Sequence, residues 1–382
     1  MANYDYEIIN GRKIRVRPKE TVSEIDKNGY FRRQPNHFTT LFGDGENDLK
    51  AEGNKRYRLV WAKLCHWSNR AAIVRELEGL EDQISVNMVE HAPHEKNLGW
   101  EYVYNENNID PVLGDQFLSE AYYRADDDYQ GRTTVPALID TTTGKVVNND
   151  YNWLTTYFEV NFRPWHKKGA PELYPVELRE EIDKMNLWLF DNINNAVYRS
   201  SFSRSNEGHF DGVNTFYAAM DRLEKRLETN RFLFGDYVTD SDIRLYVTLA
   251  RLDIRYTAQL GETKRPLYTY KNLWGYAKEL WEIPAFAHHT DFAAIIRQGR
   301  IEGEEDGFCA STHYDLALPK IDWDAQWKVS TERAYLSSDP THPIYLGNNR
   351  RFDIDPTWYD LGAESPKKEE KETPPSCGCC CG

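Results

Sequence analysis

Six consecutive residues, Cys65-His66-Trp67-Ser68-Asn69-Arg70, carry the densest chemical information in this 382-residue chain. Cys65 follows an alternating apolar run, Tyr57 to Leu64, and precedes Ile73, Val74, Leu77 and Leu80 at helical spacing, with Gly79 near the end. A strand feeding a helix puts Cys65 at the helix N-terminus, where unpaired backbone N–H groups and the helix dipole stabilise a thiolate. Arg70 adds positive charge nearby. From position alone two readings stand: a nucleophilic sulfur, or a small buried hydrophobe. His66 either tunes the sulfur or caps the helix. Ser68 and Asn69 stand where a C-x-x-C motif would place its second cysteine, so turnover through sulfur needs an external thiol.

The elements that must position this sulfur follow from patterning. Residues 1–55 read as an arm with little periodicity. Residues 56–165 read as an α/β domain: the strand and helix around Cys65, a strand over Ile84–Val89, and a polar, aromatic-rich insertion at 91–130 with a helix near Gln116–Tyr123. That insertion either covers a cleft or is a solvated excursion. Thr133 to Asp140 reads as a strand entered through Pro136, whose peptide bond is open to either isomer. Thr142-Thr143-Gly144-Lys145 turns into Val146-Val147, and a helix follows over about Tyr151–Phe158. This order gathers the first strand end and the proline turn around one cleft.

From Glu177 the pattern becomes helical, with Leu178, Ile182, Met185, Leu189 and Ile193 at helical spacing, so 175–298 reads as an all-helical domain. Thr239 is the expected N-cap of a helix starting Asp240-Ser241-Asp242, with Val238 and Ile243 as a hydrophobic staple. Asp242 is there a folding device rather than a catalytic acid. Residues 299–382 form an extension that Trp323, Trp327, Tyr335, Tyr345 and Trp358 can anchor. Its end carries Cys377, Cys379, Cys380 and Cys381, in neither a paired zinc spacing nor a prenylation box. Soft-metal binding, lipidation, oxidation and no function all stay open for them.

The formal charge of −14 argues against a nucleic-acid partner. No apolar run approaches a membrane span, and the polar N-terminus is not a signal peptide, so a cytoplasmic location is the default. Of six cysteines only Cys65 and Cys309 lie outside the last six residues, which gives no disulfide framework. No metal is expected. The 24 Tyr and 11 Trp suit a pocket for a flat, partly polar ligand as well as ordinary packing.

Several separated motifs, in order over about 25–298, resemble the glutathione transferase superfamily and within it the Xi class, the glutathionyl-hydroquinone reductases. They include Gly29-Tyr30-Phe31-Arg32-Arg33-Gln34, the Cys65 hexapeptide (usually Cys-Pro-Trp-Ala-His-Arg), Gly131 to Leu138, Asp191 to Tyr198, Phe232 to Asp236, Thr239 to Leu245 and Arg251 to Tyr256. The resemblance implies a thioredoxin-like domain, then an all-helical domain for substrate and dimerisation, usually in a homodimer. It also implies glutathione as thiol co-substrate and an aromatic or quinone-like conjugate as substrate. Cys65 would attack the glutathione sulfur, leaving a mixed disulfide that a second glutathione resolves. By matching positions, Val135 before a cis Pro136 would pair with the cysteinyl part of glutathione, and Trp100 would lie beside the tripeptide. Tyr198 and Tyr256 would wall the aromatic site and assist proton transfer.

The chain departs from that pattern at His66, at Asp150-Tyr151 and after Ile296, where Arg297-Gln298-Gly299-Arg300 replaces a tyrosine-rich ending. His66 replaces the usual proline, restoring an N–H and bringing a titratable ring near the sulfur. Asp150-Tyr151 stands where Glu-Ser is usual at the γ-glutamyl end: Asp150 can accept the ammonium with a shorter reach, whereas Tyr151 cannot reproduce the compact serine contact. Two alternatives therefore accompany the reductase reading: a related transferase or thioether-cleaving enzyme using another thiol, and a non-catalytic interaction protein.

Overall fold

The computed structural model describes residues 4–17, 23–92, 98–261, 265–296 and 322–344. The N-terminal arm is more ordered than its sequence suggests. It opens with an antiparallel hairpin, β1 (Tyr6–Ile9) and β2 (Arg12–Arg15), turned by Asn10 and Gly11, both at positive φ.

β3 (Tyr57–Trp61) is buried at all five positions and leads through a short loop into α1 (His66–Leu77). Gly79, at φ +72°, closes the helix in the left-handed conformation that glycine tolerates best. Then come β4 (Ile84–Met88), the short pair β5 (Glu90–His91) and β6 (Trp100–Glu101), and α2 (Leu118–Ala125). β7 (Ala137–Asp140), β8 (Lys145–Asn148) and α3 (Leu154–Val160) complete the unit. The sheet order is β4-β3-β7-β8, with β3 parallel to β4 and the remaining pairs antiparallel, the thioredoxin-like arrangement.

The alternation along β3 does not mark a solvent face. Arg58 is buried there and donates to Asp110 at 2.8 Å, a carboxylate supplied by the insertion, with Tyr102, Phe117, Leu118 and Tyr122 buried beside it. The insertion is therefore a lid on the sheet, not a solvated excursion. The helix after β8 starts at Leu154 rather than near Tyr151, because Asp150 and Asn152 form a turn before it.

The second half is helical: α4 (Arg179–Leu189), α5 (Ala196–Phe202), α6 (Asn206–Arg226), α7 (Asp240–Arg251), α8 (Thr257–Gln259), α9 (Lys271–Trp281) and α10 (Pro284–His288). α5 and α6 cross so closely that a Cβ on Gly212 would stand 2.4 Å from the Ser200 nitrogen. π-helical turns, Phe190–Asn194 and Leu252–Tyr256, follow α4 and α7 and re-aim the chain after them. α7 is buried at every position, and Asp242 accepts from Thr239 N at 2.8 Å, Leu233 N at 2.9 Å and the Tyr276 hydroxyl at 2.8 Å. It is the folding device expected of it. Within the extension, α11 (Trp323–Trp327) buries Trp327 against Tyr246, Trp274 and Phe292, whereas Tyr335 is exposed. Tyr345, Trp358, Cys309 and the terminal cysteines lie outside the described residues.

Between the halves, Glu159 on α3 is 1 % exposed and lies beside Asp240 of α7. Burial, then the charges of Asp240 and Glu78, raise it well above the ordinary carboxylate range. A carboxyl raised on folding contributes stability that is full below its unfolded value, about pH 4.3, and fades as pH rises toward the folded one. Replacing Glu159→Gln removes this dependence. From about pH 5 to about pH 8 the variant's stability should gain on the wild type by up to about 1.4 kcal/mol per pH unit. Denaturant titrations across that range measure the gap; a constant gap would contradict a protonated Glu159.

Candidate active site

Cys65 is the N-cap of α1, in extended conformation, and is 7 % exposed. Its loop is stiffened locally: Cys65 N donates to Ala62 O at 3.0 Å, and Ala62 N donates to Ser68 Oγ at 3.1 Å. Sγ lies 3.7 Å from the Val135 carbonyl oxygen, and the Val135–Pro136 peptide is cis. The first strand end and the proline turn thus meet at the sulfur. Tyr122 steadies the neighbouring residue, donating to Thr134 O at 2.7 Å.

The helical half reaches into the same loop. Arg251, the last residue of α7 and wholly buried, donates to Leu64 O at 2.7 Å, Lys63 O at 2.8 Å, Val247 O at 2.8 Å and Asn69 Oδ1 at 3.2 Å. Arg70 bonds the Tyr151 carbonyl, and burial pulls its guanidinium down to about 9, which leaves it charged at neutral pH. Two guanidinium groups and the N-terminus of α1 thus gather at the loop that carries the sulfur.

Aromatic rings enclose the site. Trp67 packs on Tyr151 (ring centroids 4.7 Å apart), Phe190 (5.6 Å) and Tyr198 (5.8 Å). Arg33 of the arm lays its guanidinium 4.4 Å from the Tyr198 centroid and 4.6 Å from that of Trp67, tethered by Asn195 Oδ1 at 3.0 Å. Arg33, Tyr151 and Tyr198 are half-buried and form the rim over the more deeply buried Cys65. Tyr256 is buried, its hydroxyl 3.2 Å from His66 Nδ1. Burial, then a charge on Tyr198, hold its phenol well above the ordinary value, so it stays protonated.

The expected thiol-binding positions are arranged unevenly. Val135 and Pro136 adjoin the sulfur, whereas Trp100 is buried with its indole stacked 4.0 Å from His91 and its N–H donating to Thr133 O at 3.1 Å. Asp150 Oδ1 already accepts from Asn36 Nδ2 and from Asn152 N, each at 2.9 Å. Tyr151 contributes its carbonyl to Arg70 and its ring to the aromatic wall. Among the described residues no group of three His, Cys, Asp or Glu is placed to hold a metal ion, and no helix is long and apolar enough to cross a membrane.

Arg33, Arg251 and the Asn194–Thr248 pair behind His66 were not expected at the site. Arg251 had a readable signal: Ile243, Val247 and Arg251 form one row at four-residue spacing, and a charge on a buried row needs internal partners. Arg33 had none, because only folding brings the arm across the domain.

The family description "Glutathione S-transferase, C-terminal domain" matches residues 197–279. The chain is 35% identical over 280 residues to glutathione S-transferase omega-like 2 of Schizosaccharomyces pombe, spanning 70% of this chain and 88% of that protein. It is 32% identical over 273 residues to glutathionyl-hydroquinone reductase YqjG of Escherichia coli, spanning 70% and 83% respectively. Among solved structures, a glutathione transferase from Gordonia bronchialis superposes with a TM-score of 0.72 at 32% identity, covering 82% of this chain and 95% of its own. The thiol-centred fold and these relationships define one class: the chain belongs to the glutathione transferase superfamily, in its Xi/omega-like branch. It is a thiol-handling enzyme of that superfamily.

Proposed function

We propose that this enzyme removes glutathione from glutathionyl-hydroquinone-type conjugates. The observation that carries the reading is a single sulfur at a helix N-terminus, backed by Val135 and Pro136 and walled by Trp67, Tyr198 and Tyr256. The Cys65 thiolate attacks the glutathione sulfur; the carbon–sulfur bond breaks and its electron pair goes to the aromatic carbon, which takes up a proton. Tyr198 and Tyr256 wall the aromatic ring, and a tyrosine hydroxyl supplies that proton. A glutathione thiolate then attacks the Cys65–glutathione disulfide, releasing oxidised glutathione and restoring Cys65. Conjugate plus glutathione gives hydroquinone plus oxidised glutathione. The Escherichia coli relative is named a glutathionyl-hydroquinone reductase, which supports this reading.

Val135 pairs with the cysteinyl part of glutathione, Trp100 flanks the tripeptide, and the helical part, 175–298, supplies the aromatic site and a homodimer interface. The same reading keeps the enzyme in the cytoplasm. Supplying glutathionyl-menadiol with excess glutathione tests it. Menadiol and oxidised glutathione should appear in equal amounts; menadiol without oxidised glutathione would rule the cycle out.

A second reading concerns the thiol. Asp150, engaged with Asn36 and the α3 turn, and Tyr151, engaged with Arg70, leave the γ-glutamyl end differently served from the usual Glu-Ser pair. This favours a related low-molecular-weight thiol. A panel of γ-glutamylcysteine, cysteine and coenzyme A in place of glutathione decides it, and efficient use of glutathione alone would dismiss it.

A further inference from the structure

His66 directly follows the reactive cysteine, is 1 % exposed, and has a tautomer that its surroundings assign. Asn194 donates its amide nitrogen to Arg244 O at 2.9 Å, so the amide cannot be flipped. The same nitrogen donates to Thr248 Oγ1 at 2.8 Å. The Thr248 and Tyr256 hydroxyls both face His66 Nδ1, at 3.1 and 3.2 Å, and neither hydroxyl proton has another acceptor among the described residues. Nδ1 is therefore an acceptor, and the proton of the neutral ring sits on Nε2.

That Nε2–H is buried and has no partner among the described residues. Buried donors are nearly always satisfied, so an orphaned one beside a reactive sulfur points to a ligand. Its surroundings say which part of the ligand. The imidazole lies against Trp67 (4.3 Å), Tyr198 (5.2 Å) and Tyr256 (5.8 Å), the aromatic wall rather than the Val135 side. Arg33, over the same Trp67 and Tyr198 rings, also has a buried guanidinium nitrogen, Nη2, without a partner among the described residues. Burial, with Arg251, Arg33 and Arg70 nearby, keeps His66 uncharged through the physiological range.

We propose that His66 is a specificity-determining residue whose Nε2–H donates to an oxygen on the aromatic half of the substrate, so that the site selects flat rings bearing a carbonyl or phenolic oxygen over plain hydrocarbons. The half-buried Tyr198 stands 5.2 Å from the imidazole, at the rim of the cleft. The proposal rests on the reading of the cleft as an aromatic-conjugate site, but its test needs no turnover.

In a Cys65→Ser background, which prevents arylation of the sulfur, equilibrium dialysis compares menadione with methylnaphthalene, alike in shape but lacking the oxygens. Menadione should bind more tightly. Adding His66→Phe, which keeps a flat ring and removes the donor, should weaken menadione about tenfold, the worth of one neutral hydrogen bond, and leave methylnaphthalene unchanged. His66→Gln, with an amide donor, should recover part of the preference. Where the Phe variant does not fold, His66→Met carries the same expectation. Equal loss for both ligands, or unchanged menadione binding, overturns the proposal. A wild-type Cys65 that never acquires glutathione would sink the reductase reading, while the two-ligand comparison would still decide the role of His66.

Discussion

Cys65→Ser is expected to fold normally and to lose turnover by at least about 10³-fold, because the nucleophile is removed rather than weakened. Serine is smaller than cysteine by little, and its hydroxyl can point at the Val135 carbonyl where Sγ now lies 3.7 Å away. The melting temperature should therefore shift by no more than a few degrees, corresponding to roughly 1 kcal/mol or less. The contrast matters more than either number. An alkoxide forms far less readily than a thiolate, and a sulfur–oxygen product has no counterpart in disulfide exchange. Comparing initial rates with glutathionyl-menadiol, alongside melting curves, separates chemistry from folding. A serine variant retaining a tenth of the wild-type rate would remove Cys65 from the reaction.

The second large effect belongs to Arg251. Arg251→Met should cost about 3–5 kcal/mol, since it strips donors from buried carbonyls of Lys63, Leu64 and Val247 and from Asn69 at once. Against a typical total of about 5–15 kcal/mol this approaches unfolding. Arg251→Lys should be milder, because one ammonium can serve only part of that set. The same residue holds the loop bearing Cys65, so the Lys variant should lose rate as well as stability. Urea titration of both variants, with rates for the folded Lys variant, measures this. Loss of less than about 1 kcal/mol in the Met variant would mean the loop is held by other contacts.

How much of this was legible in the chain depends on the distance over which each feature is decided. The N-cap position of Cys65 and the Thr239–Asp242 cap are local, set by residues within a few positions, and the structure bears them out, whereas the strand expected from Thr133 begins only at Ala137, after the cis Pro136. The start of α3 was misplaced by three residues because the side chain of Asp150 holds a turn that apolar spacing does not reveal. The insertion was ambiguous for a long-range reason. Arg58 looks like a solvent-facing residue of an alternating strand until Asp110, 52 positions away, is folded over it.

The site divides in the same way. Cys65, Val135 and Pro136 could be found from motifs, whereas the contacts of His66 with Thr248 and Tyr256 join residues 182 and 190 positions apart. Arg33 belongs to an arm whose path is fixed elsewhere. Arg132 donates to both oxygens of Glu24, at 2.8 and 2.9 Å, and Gln34 Nε2 donates to the Arg132 carbonyl at 3.0 Å. That clasp ties the arm to the residues just before Val135. Weak local periodicity in residues 1–55 concealed a segment whose Arg33 lies over the Trp67 and Tyr198 rings.

The central claim is that one sulfur carries glutathione between substrate and solution. Intact-mass spectrometry of the wild-type enzyme mixed with one equivalent of glutathionyl-menadiol, quenched before free glutathione is added, tests it most directly. The account predicts a single glutathionyl increment, mapped by peptide digestion to Cys65, equal in amount to the menadiol released and removed when glutathione is supplied. Menadiol release with Cys65 unmodified, or an adduct confined to the C-terminal cysteines, would contradict it.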